Sequence, residues 1–405
     1  MELAKLKKTL ATLATATPRI KLVRQARIDY YILEDQPQGP SKPLETGHPL
    51  KPVPPPGNSK KKHLAIGVDS SSSIIRTPFY NIVAVTASAS TTIIPELYDH
   101  PEIYSYQIQP RIKQPYLIIG TDAETEETGE GVTTTSPLGT QYGYKYSPER
   151  IADEYRAWIE NWVLSDPLLQ AAEKLVDQGY NPVILIDGPI YPTPQLIAKI
   201  HPAGDALSLW RRIAEDRINI VRHYENMGIP VVGIVKRVDQ SSLLTTQGTI
   251  RRLVKTRCGI DLVSYNPPGD QALIHLLLTL PKCRRHGTGI YRTPVHQYTP
   301  GNYGFPKLYS YIAIPPSPWS TRTSDYRVYR LEFTGETMEI LRGHGLDPFQ
   351  VVYNETLHHG LQVPFTITLS DKRSRMIASA LRAKLKALLQ TMRVPFTYDE
   401  IVYGR

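Results

Sequence analysis

Two short apolar segments of this chain each end on an aspartate. Residues 64–68 lead into Asp69, and residues 183–186 lead into Asp187. A carboxylate at the end of a buried strand is held rigidly, and two of them on neighbouring strands can hold divalent cations for phosphodiester chemistry. The sequence therefore predicts a metal-binding carboxylate pair.

Each aspartate also has a structural interpretation without chemistry. Asp69 begins the run Asp-Ser-Ser-Ser, which suits a turn or a helix cap, and Asp187 begins Asp-Gly-Pro, a common turn sequence. The order of the two sites, each directly after an apolar strand, favours catalysis over two unrelated turns.

A third acid is expected to join the pair from the helix between the two strands. Glu160 lies beside the apolar stripe of that helix, and its alternative is an ordinary ion pair with Arg156, four residues earlier. Asp166 and Glu173 are the other candidates, with a helix cap and a solvated side chain as their respective alternatives. Asp69, Glu160 and Asp187 are accordingly the predicted catalytic metal ligands.

Cations follow the same strands. Lys236 comes directly after the apolar strand 231–235, where it is predicted to neutralise charge at a phosphate, unless it is a solvated strand-end lysine. Other basic side chains are expected to track a DNA backbone. They are Arg237, Arg251, Arg252, Lys255, Arg284 and Arg285. Nearby rings either stack on unpaired bases or pack in the core. They are Tyr291, Tyr298, Tyr303, Tyr309, Tyr311 and Trp319.

Composition restricts the class of protein. The 405 residues carry 47 Lys and Arg against 38 Asp and Glu, a formal charge of +9 that favours a polyanionic partner. The only two cysteines, Cys258 and Cys283, lack metal-site spacing and are expected to be free thiols. Without an apolar run long enough to span a membrane or a secretion signal, we expect a cytoplasmic protein with no membrane association.

The organisation of the chain follows from its composition. Residues 1–35 are rich in helix formers and predict a helical arm, whereas residues 36–62 are rich in Pro, Gly, Ser and Lys and predict a solvated linker or an extended loop. The folded domain is expected to begin near His63. Residues 376–405 are expected to form a C-terminal helix and tail.

The predicted elements alternate in a characteristic order. Three strands near 64–68, 82–85 and 116–119 precede a helix capped by Ser147, a second helix at 168–176, a strand at 183–186, a helix at 207–226 and a strand at 231–235. This order indicates an α/β fold: a ribonuclease H-like mixed sheet, flanked by helices, with its core at about 63–250. The N-terminal arm and a C-terminal α+β extension complete the predicted architecture.

At these residues the chain resembles the NurA nuclease family. Asp69 in Ala-Ile-Gly-Val-Asp-Ser-Ser-Ser, Asp187 in Val-Ile-Leu-Ile-Asp-Gly-Pro-Ile and Lys236 in Val-Val-Gly-Ile-Val-Lys-Arg occur in the family's order, and the resemblance spans about 63–375. The stretch from Arg156 to Glu160 resembles the family's Arg-x-x-x-Glu helix.

The resemblance implies a ribonuclease H-like fold and a manganese-dependent nuclease, with Mg²⁺ as the alternative ion. The family acts as a 5′-to-3′ exonuclease on single- and double-stranded DNA and as an endonuclease on single strands. It also implies a homodimer that docks on a hexameric HerA helicase-translocase and resects broken DNA ends for double-strand break repair with the Mre11–Rad50 complex.

The chain departs from the family pattern in two places. Ser70 stands where the family commonly has glycine after the first aspartate. The family's later Tyr-Pro segment followed by Ala-His has no one-to-one match, because this chain reads Asp347-Pro348-Phe349 and then 353–359. Tyr353 and His358 are the nearest substitutes, with His358 as a ligand or proton shuttle, or else part of a surface turn.

Two other functions use the same residues. Actin-like and sugar-kinase ATPases open with a similar Gly-x-Asp strand followed by hydroxyl side chains, but they need a second phosphate-binding hairpin and a glycine-rich adenosine loop. Asp187-Gly188 matches the first poorly, and no segment matches the second. The other alternative is a subunit that binds DNA or a helicase without cutting.

Overall fold

The computed structural model describes most of the chain beyond its N-terminal region. The described residues are 7, 8, 10, 11, 30–33, 41–57, 62–91, 117–121, 147–193, 195–198, 204–239, 241–265, 267–284, 289–301, 303–317, 320, 322–357 and 360–402.

The strands of the described chain range from 2 to 15 residues in length. They are β1 (Tyr30–Leu33), β2 (Ser41–Pro43), β3 (Lys51–Pro52), β4 (Lys62–Arg76), β5 (Asn81–Thr91), β6 (Leu117–Thr121), β7 (Tyr180–Asp187), β8 (Gln195–Ala198), β9 (Val231–Val235), β10 (Tyr291–Arg292), β11 (His296–Tyr298), β12 (Lys307–Ile314) and β13 (Arg327–Phe333).

The main helices of the described chain fall into four stretches separated by strands. They are α1 (Pro148–Ser165), α2 (Pro167–Asp177), α3 (Gly204–Asn226), α4 (Gly248–Cys258), α5 (Leu262–Tyr265), α6 (Asp270–Thr279), α7 (Gly335–Gly343), α8 (Pro348–Thr356), α9 (Phe365–Thr391) and α10 (Tyr398–Val402). The predicted start of α1 is confirmed: Pro148 is its first residue, and the Ser147 hydroxyl accepts a hydrogen bond from the Arg150 amide.

A mixed sheet forms the centre of the molecule. Its strand order is β2-β11-β12-β13-β9-β7-β4-β5-β6, with β10 pairing with β12 and β3. β4, β7 and β9 run parallel to one another, whereas β5 and β6 pair antiparallel on one side and β13 on the other. The carboxyl ends of β7 and β9 therefore meet at one place, beside the middle of the longer β4.

Both faces of the sheet are covered by helices. α1, α2 and α3 pack on Ile66 and Val68 of β4 and on Ile184 and Ile186 of β7. On the other face, the alternate residues of β7 and β9 pack with α7, α8 and the start of α9. A mixed sheet with helices on both faces is the architecture that the sequence predicts in outline.

The end of the predicted N-terminal helical arm is a strand. Residues 30–33 form β1, which pairs antiparallel with β8. The aromatic and β-branched side chains of Tyr-Tyr-Ile-Leu favour a strand once a partner strand is present. The helical prediction was wrong at these four residues, whereas residues 7, 8, 10 and 11 are helical as predicted, and the rest of 1–29 lies outside the described residues.

Residues 41–57, most of the described part of the predicted linker or extended loop, are largely irregular, but the prediction of a solvated segment was wrong for its two short strands and its buried residues. β2 and β3 add to the sheet through β11 and β10, and Leu50 and Val53 are buried. Pro43 and Pro52 are tolerated because both strands lie at the edge of the sheet, where a missing amide donor costs little. The segment is polar on average, but its apolar residues Leu50 and Val53 pack in the core.

The cysteines were predicted to be free thiols, which was wrong. Cys258 and Cys283 form a disulfide that joins the end of α4 to the 3₁₀ turn Pro281–Cys283. The sequence did not reveal that these two elements lie side by side, because the pairing depends on the packing of α4 and α6.

A long helix crosses the predicted boundary of the nuclease domain at residue 375. α9 runs without interruption from Phe365 to Thr391, so the predicted boundary between the nuclease domain and the C-terminal tail falls inside it. Its first half packs against β4, and its second half packs against β5 through Leu385 and Leu389. Within the described residues, no helix combines the length and apolarity required to cross a bilayer.

Candidate functional site

The register of two parallel strands brings Asp69 and Asp187 together. Val68 of β4 lies opposite Ile186 of β7, so the two aspartates occupy the next position along each strand. Successive side chains alternate between the faces of a sheet. Since Val68 and Ile186 pack under α1–α3, both aspartates point to the opposite face, where α9 lies.

α9 delivers a third carboxylate to the same point. Asp69, Asp187 and Asp371 each offer one oxygen, and the three oxygens lie within 4.8 Å of one another. The hydroxyl of Ser374, one helical turn after Asp371, donates to Asp69 Oδ2 at 3.0 Å. Among the described residues, this is the group of acidic side chains that is close enough to share a metal ion.

A close approach of backbones fixes α9 on β4. A Cβ atom on Gly67 would lie 2.4 Å from the carbonyl carbon of Thr366, so only glycine permits this contact. The Ser370 hydroxyl donates to the Gly67 carbonyl at 2.6 Å. The start of α9 is held by Glu355, which accepts hydrogen bonds from the amide and hydroxyl of Thr366. Asp371 is therefore placed by a rigid helix.

Burial and mutual repulsion dominate the electrostatics of the carboxylates. Burial, reinforced by the negative charges of Asp187 and Glu160, raises the pKa of Asp69 to about 8. Burial also raises the pKa of Asp187, although the Lys236 ammonium opposes that shift. Two buried like charges favour the ionised form only when a cation is near, so the cluster is suited to a divalent metal.

Lys236 occupies the position that its sequence context predicts. It follows β9, and its ammonium group lies 2.6 Å from Asp187 Oδ2. Lys236 remains 28% exposed and Asp187 15% exposed at the side chain, so the pair opens to solvent. The lysine is thus an ion-pair partner inside the site rather than a freely solvated side chain.

Glu160 lies beside the cluster on the other face of β4. Its carboxylate accepts a hydrogen bond from Ser70, the residue after Asp69, and it forms a salt bridge of 3.0 Å with Arg217. Arg217 of α3 is 1% exposed, so Glu160 is its buried counter-ion. Glu160 is not one of the three carboxylates that share the metal-sized cluster.

Arg156 also reaches the strand at Ser70. Its guanidinium donates to the Ser70 hydroxyl at 3.2 Å and to the Ser70 carbonyl at 3.1 Å. The i, i+4 ion pair between Arg156 and Glu160, the alternative in the sequence analysis, is replaced by contacts of both side chains with Ser70. The Arg-x-x-x-Glu helix therefore holds the backbone of β4 directly beside Asp69.

The other acid candidates lie away from the cluster. Asp166 is exposed between α1 and α2, where it accepts from the Gln170 amide at 2.8 Å, and Glu173 is exposed on α2. Tyr353 packs against the apolar core on the α7–α8 side of the sheet. His358 lies outside the described residues.

Four of the predicted DNA-binding residues lie just after β9 or on α4. Arg237 follows Lys236 and is exposed. Arg251, Arg252 and Lys255 lie on α4, which packs on Val235 at the end of β9, and Lys255 pairs with Asp261. Arg284 lies over the ring of Tyr291, and Arg285 falls outside the described residues.

The tyrosines are core residues. Tyr291, Tyr298, Tyr303, Tyr309 and Tyr311 are each less than 10% exposed, so the base-stacking interpretation was wrong for them. Trp319 lies outside the described residues. Four of these rings pack against α4–α6, and Tyr303 packs against α1 and α3, where rings contribute large areas of buried surface.

Sequence reasoning missed Asp371. One signal was present: Thr366, Ser370, Ser374 and Ala378 place a small residue at every fourth position, and all four are buried. Such a stripe lets a helix approach a strand closely. The acid next to it was overlooked because nothing in the local sequence says which strand the stripe faces.

The arrangement supplies what metal-assisted hydrolysis requires. Three carboxylates from β4, β7 and α9 form a hard oxygen-ligand set, which suits Mg²⁺ or Mn²⁺. Lys236 adds a positive charge on the solvent-exposed side of the three carboxylates.

Comparison with solved structures finds NurA nucleases at low sequence identity. The NurA nuclease from Sulfolobus solfataricus shares 10% identity, with 83% of this chain and 84% of that chain covered and a TM-score of 0.40. A structure of NurA with manganese shares 11% identity over 84% of this chain and 91% of that chain, with a TM-score of 0.39. A third structure, of NurA bound to dAMP and manganese, shares 12% identity, with 79% of this chain and 85% of that chain covered and a TM-score of 0.30.

Comparison with curated protein sequences finds no match. A family model gives the assignment instead: the NurA domain matches residues 63–375, more than three quarters of the chain. This range contains Asp69, Asp187, Lys236 and Asp371. The chain belongs to the NurA domain family.

Proposed function

We propose that this chain is a divalent-metal-dependent DNA nuclease. The observation that carries the proposal is the convergence of Asp69, Asp187 and Asp371, from three separate elements, to within 4.8 Å. Membership of the NurA family supports hydrolysis of DNA as the reaction.

The residues of the cluster fit a divalent metal on chemical grounds. All three are carboxylates, Asp69 is 3% exposed, and the pKa of Asp69 is raised by burial and then by the nearby acids. Asp69, Asp187 and Asp371 would hold the ion. A bound divalent ion would activate water for in-line attack and stabilise the leaving oxygen.

The other side chains position these ligands and the substrate. Ser374 orients Asp69 by donating to it, and Lys236 orients Asp187 while presenting its charge to the scissile phosphate. Arg156 and Glu160 hold β4 at Ser70. Arg237 and the arginines of α4 are proposed to bind the DNA backbone beyond the cleavage point.

Several finer features belong to the same proposal. The strand order β6-β5-β4-β7-β9 supports a ribonuclease H-like core, because an antiparallel trio continues into parallel strands beside the first. Mn²⁺ is the proposed ion. Family membership supports 5′-to-3′ exonuclease and single-strand endonuclease activity and a homodimer. It also supports work with a HerA-type helicase and the Mre11–Rad50 complex in DNA end resection.

The test is cleavage of end-labelled DNA by the purified chain with Mn²⁺. We expect Asp69→Asn and Asp187→Asn each to reduce cleavage to the level seen with a chelator, since each loses a charged ligand while keeping its shape. Glu173→Gln is the matched control, because this carboxylate is exposed on α2, and it should cleave like the wild type.

Two results would contradict the proposal. If either aspartate variant cleaves normally, the carboxylate cluster is not the catalytic centre. If the wild type binds Mn²⁺ and DNA but does not cleave under any metal condition, the chain is a binding subunit. Circular dichroism of each variant separates lost chemistry from lost folding.

A further inference from the structure

A second buried charge cluster lies behind the site, and the chemistry described above does not use it. Glu332 on β13 is fully buried, and its carboxylate accepts from Lys307 Nζ at 2.8 Å and from Arg330 Nε at 2.9 Å. Both cations are also buried, with side chains 2% and 1% exposed. Burial by itself would raise the pKa of Glu332, but Lys307 and Arg330 outweigh it and hold the pKa below its usual value.

Buried ion clusters are expensive for a fold. Removing three charged groups from water carries a large free-energy cost, and apolar residues of similar volume often stabilise a core equally well. The cluster is therefore better explained by what it holds in place than by stability alone.

The cluster holds the segment that follows Asp187. The Ile190 amide donates to Glu332 Oε2 at 3.2 Å, and Lys307 donates to the Thr193 hydroxyl at 3.3 Å. Lys307 also lies 5.1 Å from the ring centre of Tyr191. Three residues of 188–193 thus contact the Lys307–Glu332 pair.

The same segment is fixed at its other side by β9. The Gly188 amide donates to the Ile234 carbonyl at 3.0 Å, and Gly188 has φ of +138°, which favours glycine. A Cβ atom on Gly233 would lie 2.4 Å from the Ile190 nitrogen. The chain therefore leaves Asp187 along a path that has almost no freedom.

We propose that Glu332 is a positioning residue for the carboxylate of Asp187. By accepting the Ile190 amide, it fixes segment 188–193, and the fixed segment holds Asp187 in reach of Asp69 and Asp371. This inference deepens the proposed function and depends on it for the role of Asp187 as a ligand.

The chain contains a matched control for this role. Glu400 is also fully buried, accepts from one arginine and one lysine, Arg382 and Lys386, and accepts from one backbone amide, that of Arg76. Its backbone partner, Arg76, is the last residue of β4, seven residues beyond Asp69. The two carboxylates hold different segments, and the cations of Glu400 are more exposed, at 23% and 25%, than those of Glu332.

The experiment compares Glu332→Gln with Glu400→Gln in the full-length chain. We expect Glu332→Gln to raise the Kd for Mn²⁺, measured by calorimetry, by about tenfold or more, as is usual when a residue that supports a metal ligand is changed. Glu400→Gln should also lower stability, though less because its cations are partly solvated, and it should leave the Mn²⁺ Kd unchanged. Hydrogen exchange should become faster across 188–193 in the first variant only.

The double variants Glu332→Gln with Lys307→Met and Glu400→Gln with Lys386→Met remove opposite charges together, in case a single variant does not fold. The inference is overturned if Glu332→Gln keeps the wild-type Kd and exchange, or if Glu400→Gln raises the Kd equally. A wild type that binds no Mn²⁺ would contradict the proposed function instead, and exchange across 188–193 would still decide whether Glu332 anchors this segment.

Discussion

At the scale of single residues, two carboxylates compete for the role of third ligand. The sequence predicts Glu160, whereas the structure brings Asp371 to within 4.8 Å of the two strand-end aspartates. Glu160 forms a salt bridge with Arg217, whose side chain is only 1% exposed and so cannot be solvated by water if Glu160 is lost. The two acids thus have different contacts, which makes their roles separable by substitution.

Replacing each acid by its amide tests this separation. We expect Asp371→Asn to raise the Mn²⁺ Kd by at least about tenfold, because it removes charge from the cluster itself. Glu160→Gln should change the Kd less and instead lower the free energy of unfolding by about 3 kcal/mol, since it leaves the buried Arg217 without its counter-ion. Calorimetry and urea unfolding measure the two quantities. A larger Kd effect in Glu160→Gln than in Asp371→Asn would show that Glu160 is the ligand.

At the scale of elements, the site depends on how closely α9 approaches β4. Gly67 lies two residues before Asp69, and the backbone of Thr366 occupies the space where a side chain would be. Ser370 and Ser374 then reach the Gly67 carbonyl and the Asp69 carboxylate from the same face of the helix. One small residue on the strand therefore sets the distance between Asp69 and Asp371.

Gly67→Ala tests the importance of this approach. The added methyl group must push α9 outward, so we expect a loss of about 1–3 kcal/mol in the free energy of unfolding, as is usual for overpacked contacts, together with weaker Mn²⁺ binding. Gly343→Ala is the control, because a Cβ there meets no atom within 4 Å. It should change stability by no more than about 0.5 kcal/mol. Equal behaviour of the two variants would rule out close approach as the determinant.

At the scale of the whole molecule, the N-terminal segment completes the sheet far from the site. His296 of β11 pairs with Pro43 of β2 and stacks on Tyr309, with ring centres 5.4 Å apart. Its Nδ1 donates to the Pro294 carbonyl at 2.9 Å, a proton position that we assign because a carbonyl only accepts. Burial lowers the pKa of His296, and the opposing effects of Pro294 and Glu45 are smaller.

This histidine makes stability depend on pH. The pKa of His296 in the folded chain lies below its value of about 6.5 in the unfolded chain, so this histidine binds more protons in the unfolded chain. The stabilisation from His296 is therefore fully present above about pH 6.5 and is lost as the pH falls from there towards the folded pKa. Between pH 7 and pH 5 the contribution of His296 to the free energy of unfolding falls, whereas the contribution of Asp69, whose pKa is raised in the folded chain, rises. The effect of His296 is therefore the difference between the wild type and a variant in urea unfolding. His296→Phe, which keeps the stacked ring, should reduce the slope by up to about 1.4 kcal/mol per pH unit.

His223→Gln serves as the control for this measurement, because His223 is exposed on α3 and its replacement should leave the slope unchanged. If His296→Phe keeps the wild-type slope, the protons taken up on unfolding belong to other groups.

The sequence by itself determined the elements that carry strong local signals. The strands before Asp69 and Asp187, the helix capped at Ser147 and the strand before Lys236 all follow from runs of apolar residues and from capping chemistry, which depend on neighbouring residues only. The alternation of side chains along a strand then places both aspartates on one face. The composition of residues 36–62 predicts a solvated segment because it is polar. Local polarity does not show that β2 and β3 pair with β11 and β10.

Only the tertiary structure decided which distant residues meet. Asp371 joins Asp69, about 300 positions earlier, because Gly67 admits α9, and Glu332 reaches Ile190 because β13 lies beside β9. The disulfide between Cys258 and Cys283 and the buried tyrosines were settled in the same way. Contacts of this kind depend on the packing of whole elements, and no local pattern of residue types encodes which elements will be neighbours.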